Sequence, residues 1–534
     1  MVTYLINRLL ISRLLINRLL INGYWNGMKS KPLGCWAAFF CLVCLSACGS
    51  LPDFGDKEPS YKLPASSNAN LVQFTTPLIV NHPAQTGVVP LTNGLDAFIA
   101  RLAIITAAST SVDLQYYIYR PDETGKLLVW HLLDAAERGV RVRILLDDLT
   151  TKELDRGLML LSKHPNIHIR LFNPSSSRAY RGLEFITGFS RMNHRMHNKS
   201  LTVDNSATVV GGRNIGNEYF SNNEDVDFGD FDLLAIGKAV DEVSNQFDLY
   251  WNAEVTVPIE TLSDKSFSEE ELIDADESYR AERLAFETNE YLGRLELSLF
   301  LEELREHKLK WYWGKAEVVF DPPQKAQKKD DQLWLLSDLS KFLESAKEEV
   351  MIVSPYFVPT AQGTRDLVAA SQSGLSVTVV TNSLAATDVL AVHAGYQGYR
   401  KALLDGGVKI FEVRVDPEHR PSGWMGSSRT SLHAKTFILD RKSIFVGSFN
   451  FDPRSAWINT EMGMIFHQVE FADGVVTAIE TGLKESAFRL DIEEGELVWF
   501  DDLRSEKLHS EPGAGFWRKF MADFISLFPF ESQL

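Results

Sequence analysis

The chain has 534 residues, which is enough for two or three domains and a large hydrophobic core. Its composition, 45% hydrophobic and 23% charged, is ordinary for a globular protein and excludes a largely disordered chain. The formal net charge is −17, and since the first 47 residues carry five basic and no acidic groups, the remainder carries −22. Nucleic-acid phosphates are bound mainly through Lys and Arg, so the acidic body argues against nucleic acid as a partner without excluding a local basic groove.

An N-terminal segment is predicted to be a secretion signal. Lys29 and Lys31 precede a twelve-residue apolar stretch, Leu33–Cys44, which is too short to cross a bilayer because a spanning helix needs about 20 residues. Residues 28–47 are therefore predicted to be a signal peptide. The alternative is a buried N-terminal helix.

The end of this segment, LSAC at Leu45–Cys48, resembles the bacterial lipobox. The resemblance implies cleavage before Cys48 and acylation of its thiol. Gly49 and Ser50 follow, with no Asp at the second position, and by analogy with enterobacterial sorting this favours a periplasm-facing lipoprotein of the outer membrane. All four cysteines lie within residues 35–48, which excludes a disulfide framework and a cysteine-ligated metal from the rest of the chain.

A five-residue repeat, LINRL, occupies residues 5–23. A period of five matches neither the 3.6-residue period of a helix nor a coiled-coil repeat. We expect residues 1–27 to be a spurious extension before a true start at Met28. The alternative is a genuine basic amphipathic extension.

The middle of the chain is a duplication. Each copy has an apolar strand, a helix that ends in Gly, two further strands and a segment that begins with His. The matching segments are SVDLQYYIYR (111–120) with EEVMIVSPYFVP (348–359), VRVRILLDD (140–148) with LSVTVVTNS (375–383), IHIRLFNP (167–174) with VKIFEVR (408–414), and HNKSLTVDNSATVVGGRN (197–214) with HAKTFILDRKSIFVGSFN (433–450). Strands that alternate with helices predict an α/β fold with a helix-covered sheet in each copy.

Both copies contain the motif H-x-K-x4-D-x6-G-[GS]-x-N. Its members are His197, Lys199, Asp204, Gly211, Gly212 and Asn214 in the first copy, and His433, Lys435, Asp440, Gly447, Ser448 and Asn450 in the second. In an extended segment residues i and i+2 face the same way, so each His and Lys is expected to project into one cleft. Phosphodiester exchange needs a nucleophile, an acid for the leaving alkoxide and donors for the phosphate oxygens, which the His, Lys and Asn pairs supply. The motif aspartates lie at a turn between two strands, and we interpret both as structural.

These paired motifs resemble those of the phospholipase D superfamily, over roughly residues 85–490. The resemblance implies an α/β fold of two pseudo-twofold-related α/β/α sandwich domains with the active site at their interface. It implies a phosphohistidine intermediate, with His197 as nucleophile and His433 as general acid and then base, an assignment that near-symmetry leaves reversible. Lys199, Lys435, Asn214 and Asn450 would hold phosphate oxygens, and no metal or other cofactor is implied.

Each histidine also needs an acidic partner at its other ring nitrogen. The candidates are Glu218 and Asp232 after the first motif and Glu461 after the second. Glu461 is the preferred residue and Asp232 its counterpart; the alternative is that these are ordinary acids at strand edges. The first motif has Gly212 where the second has Ser448, so a hydroxyl that could contact phosphate or histidine is present on one side only.

Longer phrases, among them RMHNKSLTVD, SPYFVP and GSFNFDPRSAWINTEMG, resemble the bacterial cardiolipin synthases, especially their cardiolipin synthase C-like branch. This implies transfer of a phosphatidyl group from phosphatidylglycerol or phosphatidylethanolamine onto phosphatidylglycerol to make cardiolipin. The partners expected are these membrane phospholipids; a helper protein is left open. The alternatives are a hydrolytic phospholipase D, a secreted phosphodiesterase or nuclease, and a non-catalytic membrane scaffold. The acidic body argues against the nuclease, and the intact motifs argue against the scaffold.

The C-terminal sequence GFWRKFMADFISLFPFESQL predicts an aromatic amphipathic helix. It could lie at a membrane interface or dock on the core. The predicted organisation is: 1–27 extension, 28–47 signal peptide, 48–82 tether, 83–255 first phospholipase D-type domain, 256–310 helical connector, 311–490 second domain, 491–534 amphipathic tail.

Overall fold

The structure, a computed structural model, describes residues 57–175, 178, 188–223, 227–262, 267–286, 288–327, 334–415 and 430–534. The predicted signal peptide, the extension over residues 1–27 and the lipidation site Cys48 lie outside the described residues.

The strands are numbered in chain order as β1 Thr86–Leu91, β2 Ser111–Tyr116, β3 Arg141–Asp147, β4 Ile167–Phe172, β5 Ser200–Val203, β6 Ala207–Gly211, β7 Asp227–Gly229, β8 Asp232–Gly237, β9 Thr256–Pro258, β10 Tyr312–Phe320, β11 Glu349–Val353, β12 Ser376–Asn382, β13 Lys409–Val413, β14 Thr430–Leu432, β15 Thr436–Leu439, β16 Ser443–Gly447, β17 Met462–His467, β18 Ala487–Glu493, β19 Glu496–Asp501 and β20 Glu506–Leu508. The α-helices are α1 Asn70–Ile79, α2 Gly94–Thr106, α3 Glu123–Glu137, α4 Asp155–Leu161, α5 Phe189–Met192, α6 Lys238–Trp251, α7 Glu269–Phe286, α8 Glu290–Glu296, α9 Leu299–Arg305, α10 Leu335–Glu344, α11 Thr360–Gln372, α12 Leu390–Gln397, α13 Arg400–Asp405, α14 Pro453–Trp457, α15 Val469–Ser486 and α16 Phe516–Ser526.

The two copies form sheets with the same strand order. In the first copy the order is β4-β3-β2-β5-β6-β8-β1, and in the second it is β13-β12-β11-β15-β16-β17-β10. The first three strands of each list are parallel and are linked by helices, because a parallel pair needs a crossover connection. Both crossover helices α3 and α11 are followed by a glycine with positive φ, Gly139 at 91° and Gly374 at 106°. The predicted α/β fold with two matching halves is thereby confirmed.

The edge strands β1 and β10 pair with each other in antiparallel register, Thr86 opposite Gly314, and so join the two sheets. Apolar side chains of both halves also share one buried cluster, in which Val210 and Leu233 of the first copy lie with Val446 and Met464 of the second. The motif strands β6 and β16 both contribute to this cluster. The shared core therefore holds the two motifs against each other.

The regions outside the two repeats show one correction. Residues 57–82, the described part of the predicted tether, pack on the first half. The backbone N–H of Lys62 donates to Asp248 Oδ2 (2.8 Å), and Leu71 of α1 is buried. Polar side chains of α6 bind the backbone of this segment, so its Pro, Ser and Asn content, which favoured a tether, does not prevent it from packing on the first half.

Within 256–310, predicted as a helical connector, lie α7, α8 and α9, but β9 also lies there and pairs with β4. Among the described residues, no helix combines the length and apolar character needed to span a membrane.

Candidate active site

Each motif histidine lies in a short segment that leads into a buried strand of its own half, β5 or β15. His197 and His433 are 8% and 7% exposed, and Lys199 and Lys435 are both 1% exposed. In the second motif the ammonium of Lys435 lies 3.0 Å from Nδ1 of His433, so these two side chains are on the same side of the segment. The ammonium of Lys199 donates to the carbonyl of His197 (2.6 Å), and that of Lys435 donates to the carbonyl of His433.

Each histidine is bound by the other copy. The backbone N–H of His197 donates to the carbonyl of Thr460 (2.8 Å), and its Nδ1 lies 2.8 Å from Oε2 of the next residue, Glu461. In the same way the N–H of His433 donates to the carbonyl of Gly229 (2.7 Å), and its Nδ1 lies 2.5 Å from Oδ2 of Asp230. A backbone bond to one residue thus sets the position of the carboxylate that follows it. The carboxylates fix the rings and leave each Nε2 for chemistry.

The contact of Glu461 matches the preferred orienting residue, but its counterpart is Asp230 and not Asp232. Asp232 lies opposite Gly211 within the sheet, where its carboxylate pairs with the buried guanidinium groups of Arg101 (2.8 Å) and Arg213 (3.3 Å). The strand therefore needs Asp232 to neutralise buried charge.

Glu218 is not a histidine partner either. Its carboxylate pairs with Arg120 at 2.5 Å. The signal for Asp230 was present in the sequence: alignment of DFDLLAI with EMGMIFH places Asp230 on Glu461 and Asp232 on Gly463. The pairings Gly211–Asp232 and Gly447–Gly463 show this register.

The Gly212–Ser448 difference between the motifs is explained by these carboxylates. A Cβ atom on Gly212 would lie 2.1 Å from Oδ1 of Asp230, so only glycine leaves room for that carboxylate. The hydroxyl of Ser448 donates to Oε2 of Glu461 (2.5 Å) and accepts from the backbone N–H of Met462 (3.0 Å). The predicted contact of Ser448 with phosphate is thus corrected to a contact with the orienting carboxylate, because that carboxylate lies within reach of the hydroxyl.

The two carboxylates differ in charge state. Burial alone would raise the pKa of Asp230, but the neighbouring His433 and Lys435 outweigh it and lower the pKa below its usual range. Burial raises the pKa of Glu461 to about 7, and the charge of Lys199 opposes it only in part. His433 is therefore paired with a firmly ionised carboxylate, whereas His197 is paired with one that gains a proton near neutral pH.

Burial also acts on the cationic groups. Burial, followed by the charges of Lys199 and Lys435, holds the pKa of His197 well below its ordinary value. Burial, followed by the charge of Lys435, lowers the pKa of His433 below its ordinary value, and Asp230 opposes this only in part. Burial lowers the pKa of Lys199 to about 7 and that of Lys435 to about 8. A bound phosphodiester anion would favour the charged form of both lysines.

The motif asparagines are held differently. Oδ1 of Asn214 accepts from the N–H of Ile118 (3.1 Å), and its Nδ2 donates to the hydroxyl of Tyr219 (3.0 Å). Among the described residues, Oδ1 of Asn450 is buried with no hydrogen-bond partner. Asn450 is therefore the asparagine whose carbonyl oxygen is left for a ligand donor.

Aromatic rings line both histidines. The ring of Tyr117 lies edge-on to His197 (5.1 Å between centroids), and the rings of Tyr219 and Phe228 lie 5.3 and 5.2 Å from His433. These rings lie outside the duplicated motif and were not predicted from the sequence, and they limit the access of water to the histidines.

Among the residues that the structure describes, neither motif aspartate has a histidine as a hydrogen-bond partner. The carboxylate of Asp204 accepts from the N–H groups of residues 109–111, and that of Asp440 accepts from those of residues 347–349. Each thus ties a strand turn to the start of a neighbouring strand, which agrees with our structural interpretation. Among the described residues, no cluster of three or more His, Cys, Asp or Glu side chains is placed to hold a metal ion.

Two matched α/β halves with crossed His–carboxylate pairs define a phospholipase D-type protein. Comparison with known proteins agrees: residues 102–251 and 339–481 match the family model described as "Cardiolipin synthase, PLD-like domain". The chain belongs to this cardiolipin synthase family, and it is a phospholipase D-type enzyme.

Two curated relatives and one solved structure illustrate the membership. The chain is 41% identical to cardiolipin synthase C of Escherichia coli, over 86% of this chain and 99% of the relative. It is 25% identical to the major cardiolipin synthase of Bacillus subtilis, over 74% of this chain and 68% of the relative. The crystal structure of phosphatidylserine synthase from Haemophilus influenzae superposes with a TM-score of 0.55 at 12% identity, covering 86% of this chain and 100% of that one, which shows a shared fold.

Proposed function

We propose that this enzyme is a phosphatidyltransferase that makes cardiolipin from phosphatidylglycerol, or from phosphatidylethanolamine and phosphatidylglycerol. The observation that carries the proposal is the crossed pair of buried imidazoles, each oriented through Nδ1 by a carboxylate of the other copy. The similarity to the Escherichia coli protein named cardiolipin synthase C supports the choice of product.

The reaction has two displacements at phosphorus. In the first, Nε2 of His197 attacks the phosphodiester, an N–P bond forms, and the P–O bond to the head-group alcohol breaks. His433 gives its Nε2 proton to the leaving alkoxide, which departs as glycerol or ethanolamine. In the second, His433 takes a proton from a glycerol hydroxyl of phosphatidylglycerol, whose oxygen attacks phosphorus and releases His197.

The charge states support these unequal roles. A nucleophile must be neutral, and the lowered pKa of His197 favours the free imidazole. A general acid must hold a proton, and although burial and Lys435 lower the pKa of His433, the ionised Asp230 opposes this shift and stabilises the imidazolium form. In this proposal Lys199 and Lys435 contact phosphate oxygens and the carbonyl oxygen of Asn450 accepts from a substrate hydroxyl. The side-chain amide of Asn214 is already bonded to Ile118 and Tyr219.

Hydrolysis of the same donors to phosphatidic acid is the second candidate, since water can replace the acceptor alcohol in the second displacement. The rings of Tyr117, Tyr219 and Phe228 beside the histidines favour transfer, because they reduce the access of water. A nuclease is less supported, because residues 48–534 carry a net charge of −22.

For location we propose a lipoprotein anchored through Cys48, facing the periplasm, at the outer membrane. The LSAC sequence and the Gly49-Ser50 pair that follows it support this placement. Cells expressing the full chain and fed radioactive palmitate should label it, and the label should be absent from Cys48→Ala. Equal labelling of both proteins would contradict the anchor.

The activity is tested with purified full-length protein and labelled phosphatidylglycerol, with and without phosphatidylethanolamine. Cardiolipin should form, and His197→Asn should reduce its rate by at least about 10³-fold. His168→Asn, an exposed histidine on β4, is the matched control and should retain the rate. Phosphatidic acid as the sole product would favour hydrolysis, and turnover of DNA but not of lipid would refute the proposal.

A further inference from the structure

We propose that the exposed side of α16 is the surface through which this enzyme lies on a lipid bilayer, with its aromatic rings in the interfacial layer. The proposal rests on the proposed function for the chemistry of the substrate. The surface, called the aromatic face below, consists of Phe516, Trp517, Phe520, Phe524, Leu527 and Phe528. Each of these side chains is between 46% and 78% exposed.

The rings of the aromatic face touch one another along the whole helix. Centroid distances are 6.4 Å from Phe516 to Phe520, 6.4 Å from Phe520 to Phe524, and 5.2 Å from Phe524 to Phe528. Scattered apolar side chains are normal on a protein surface, but a contiguous aromatic strip marks an interaction site. Trp517, 73% exposed, adds a ring whose N–H can stay in the wet layer of an interface.

The helix is nevertheless firmly docked by its other side. Ala522 is fully buried, and the guanidinium of Arg518 donates to the carbonyls of Leu384 (2.6 Å) and Thr387. Both C-terminal docking and an outward aromatic face are thus present in one helix. The sequence allowed either a helix at a membrane interface or a helix docked on the core. The two are compatible, because they concern opposite sides of α16.

The C-terminal segment from Arg518 to Leu534 contacts residues near the candidate active site at both of its ends. Thr387, which binds Arg518, precedes Asp388, whose carboxylate accepts from the hydroxyl of Tyr356 (2.8 Å). The charge of Asp388 is also one of those that oppose the burial-lowered pKa of the motif lysine Lys435.

At the other end, the carboxy-terminal Leu534 accepts a hydrogen bond from the N–H of Arg454 (2.5 Å), between Asn450 and Glu461. The side chain of Gln533 accepts from that of Asn193 (2.9 Å), four residues before His197. The C-terminal segment that contains α16 is therefore bonded to residues close in sequence to both motifs.

Further exposed apolar side chains lie on the elements that hold this segment. They are Val389 (37%), Trp457 (56%) and Phe189 (53%). Val389 follows Asp388, and Trp457 ends α14, the helix that contains Arg454. Exposed apolar side chains thus also lie on elements of both copies that are bonded to, or adjoin residues bonded to, the C-terminal segment.

A bilayer fits this surface better than a protein partner does. The substrate of the proposed reaction is held in a bilayer, so a surface beside the site that enters the interface would bring the two together. The net charge of −22 over residues 48–534 opposes electrostatic adsorption to anionic lipid, so attachment here must come from apolar insertion.

Insertion is measured directly on full-length protein mixed with vesicles of phosphatidylglycerol and phosphatidylethanolamine that carry brominated acyl chains. Bromine quenches tryptophan fluorescence at contact, so wild type should be quenched and Trp517→Phe should lose the larger part of that quenching. Because the readout is the contribution of one ring, an anchor elsewhere in the chain does not produce it. Unchanged quenching in Trp517→Phe would overturn the proposal.

The catalytic consequence is tested with Phe520→Glu/Phe524→Glu. Its rate on vesicles should fall at least about tenfold, whereas its rate on monomeric short-chain phosphatidylglycerol should stay within about twofold. Leu297→Glu/Leu299→Glu, at 87% and 74% exposure beside the connector helices, is the matched control and should change neither rate.

Equal losses in both double variants, or a loss on the short-chain substrate as well, would overturn the proposal. So would a change from dimer to monomer in light scattering with unchanged vesicle rates, which would assign the face to a second copy of the chain. If wild type turns over neither substrate, the proposed function fails while the quenching experiment still decides this inference.

Discussion

The Nδ1 atom of His197 lies 2.8 Å from Oε2 of Glu461, a side chain 264 positions later and in the other copy of the repeat. His433 and Asp230 make the reciprocal contact across 203 positions. Neither half can therefore orient its own histidine. The site exists only when both halves fold and share their core.

The two histidines should separate in a covalent trapping experiment. With a p-nitrophenyl phosphodiester, whose leaving group needs no general acid, His433→Asn should accumulate a phosphoenzyme, because its nucleophile is intact and the acid–base partner for release is missing. His197→Asn should form none. Mass spectrometry of the quenched protein measures this, and a phosphoenzyme in His197→Asn alone would reverse the assignment.

Substitution by Asn should lower catalysis at Asp230 and stability at Asp232. Asp230→Asn should lower kcat by about 10²–10⁴-fold with little effect on Tm, because the amide no longer stabilises the His433 imidazolium. Asp232→Asn should instead lower the free energy of unfolding by about 3 kcal/mol, since it weakens the buried pairs with Arg101 and Arg213. Urea denaturation and steady-state rates distinguish the two; a stable, inactive Asp232→Asn would contradict this division.

Gly212→Ser introduces the residue that the second motif has at this position. It should lower kcat more than Ser448→Ala does. The added Cβ would meet Oδ1 of Asp230 at 2.1 Å and displace it, so kcat should fall at least about tenfold. Ser448→Ala removes the hydroxyl's hydrogen bonds to Glu461 and from the N–H of Met462 and should lower the free energy of unfolding by about 1–2 kcal/mol. Gly157→Ser, where a Cβ meets nothing within 4 Å, is the matched control and should keep full activity.

Glu461 should make the stability of the protein depend on pH. Its pKa is raised to about 7 in the folded protein, above about 4.3 in the unfolded chain. The folded protein therefore binds the proton of Glu461 more tightly, and this contribution to the free energy of unfolding is complete below about pH 4 and is lost as pH rises through 7. Between pH 5 and 8 the wild type should therefore lose about 2 kcal/mol relative to Glu461→Gln. Urea denaturation of both proteins across this range measures the difference. Parallel curves would contradict the raised pKa, and Glu302→Gln on α9 serves as an exposed control.

Asp440 should matter for stability and not for chemistry. Asp440→Ala leaves three backbone N–H groups without their acceptor and should cost about 1–2 kcal/mol of unfolding free energy. Asp440→Asn keeps one acceptor oxygen and should cost less. Both variants should retain the wild-type kcat when assayed at temperatures well below their Tm. A folded but inactive Asp440→Ala would make this residue part of the catalytic machinery.

Much of this protein could be predicted from its sequence alone. The repeat of H-x-K-x4-D-x6-G-[GS]-x-N predicted two equivalent α/β halves, because residues that share a spacing share a local strand–turn–strand structure. It also identified the histidines and lysines, and the turn positions of Asp204 and Asp440, since these depend on contacts a few residues away.

Only the tertiary structure decided what each histidine contacts. Asp230 and Asp232 are two positions apart, so a period of two cannot tell them apart. The pairing of Gly211 with Asp232 and the contact of Asp230 beside Gly212 distinguish them. The tertiary structure also decided the charge state of Glu461 and which side of α16 faces outward. Both depend on which surfaces are buried, and burial is set by the whole fold and not by local spacing.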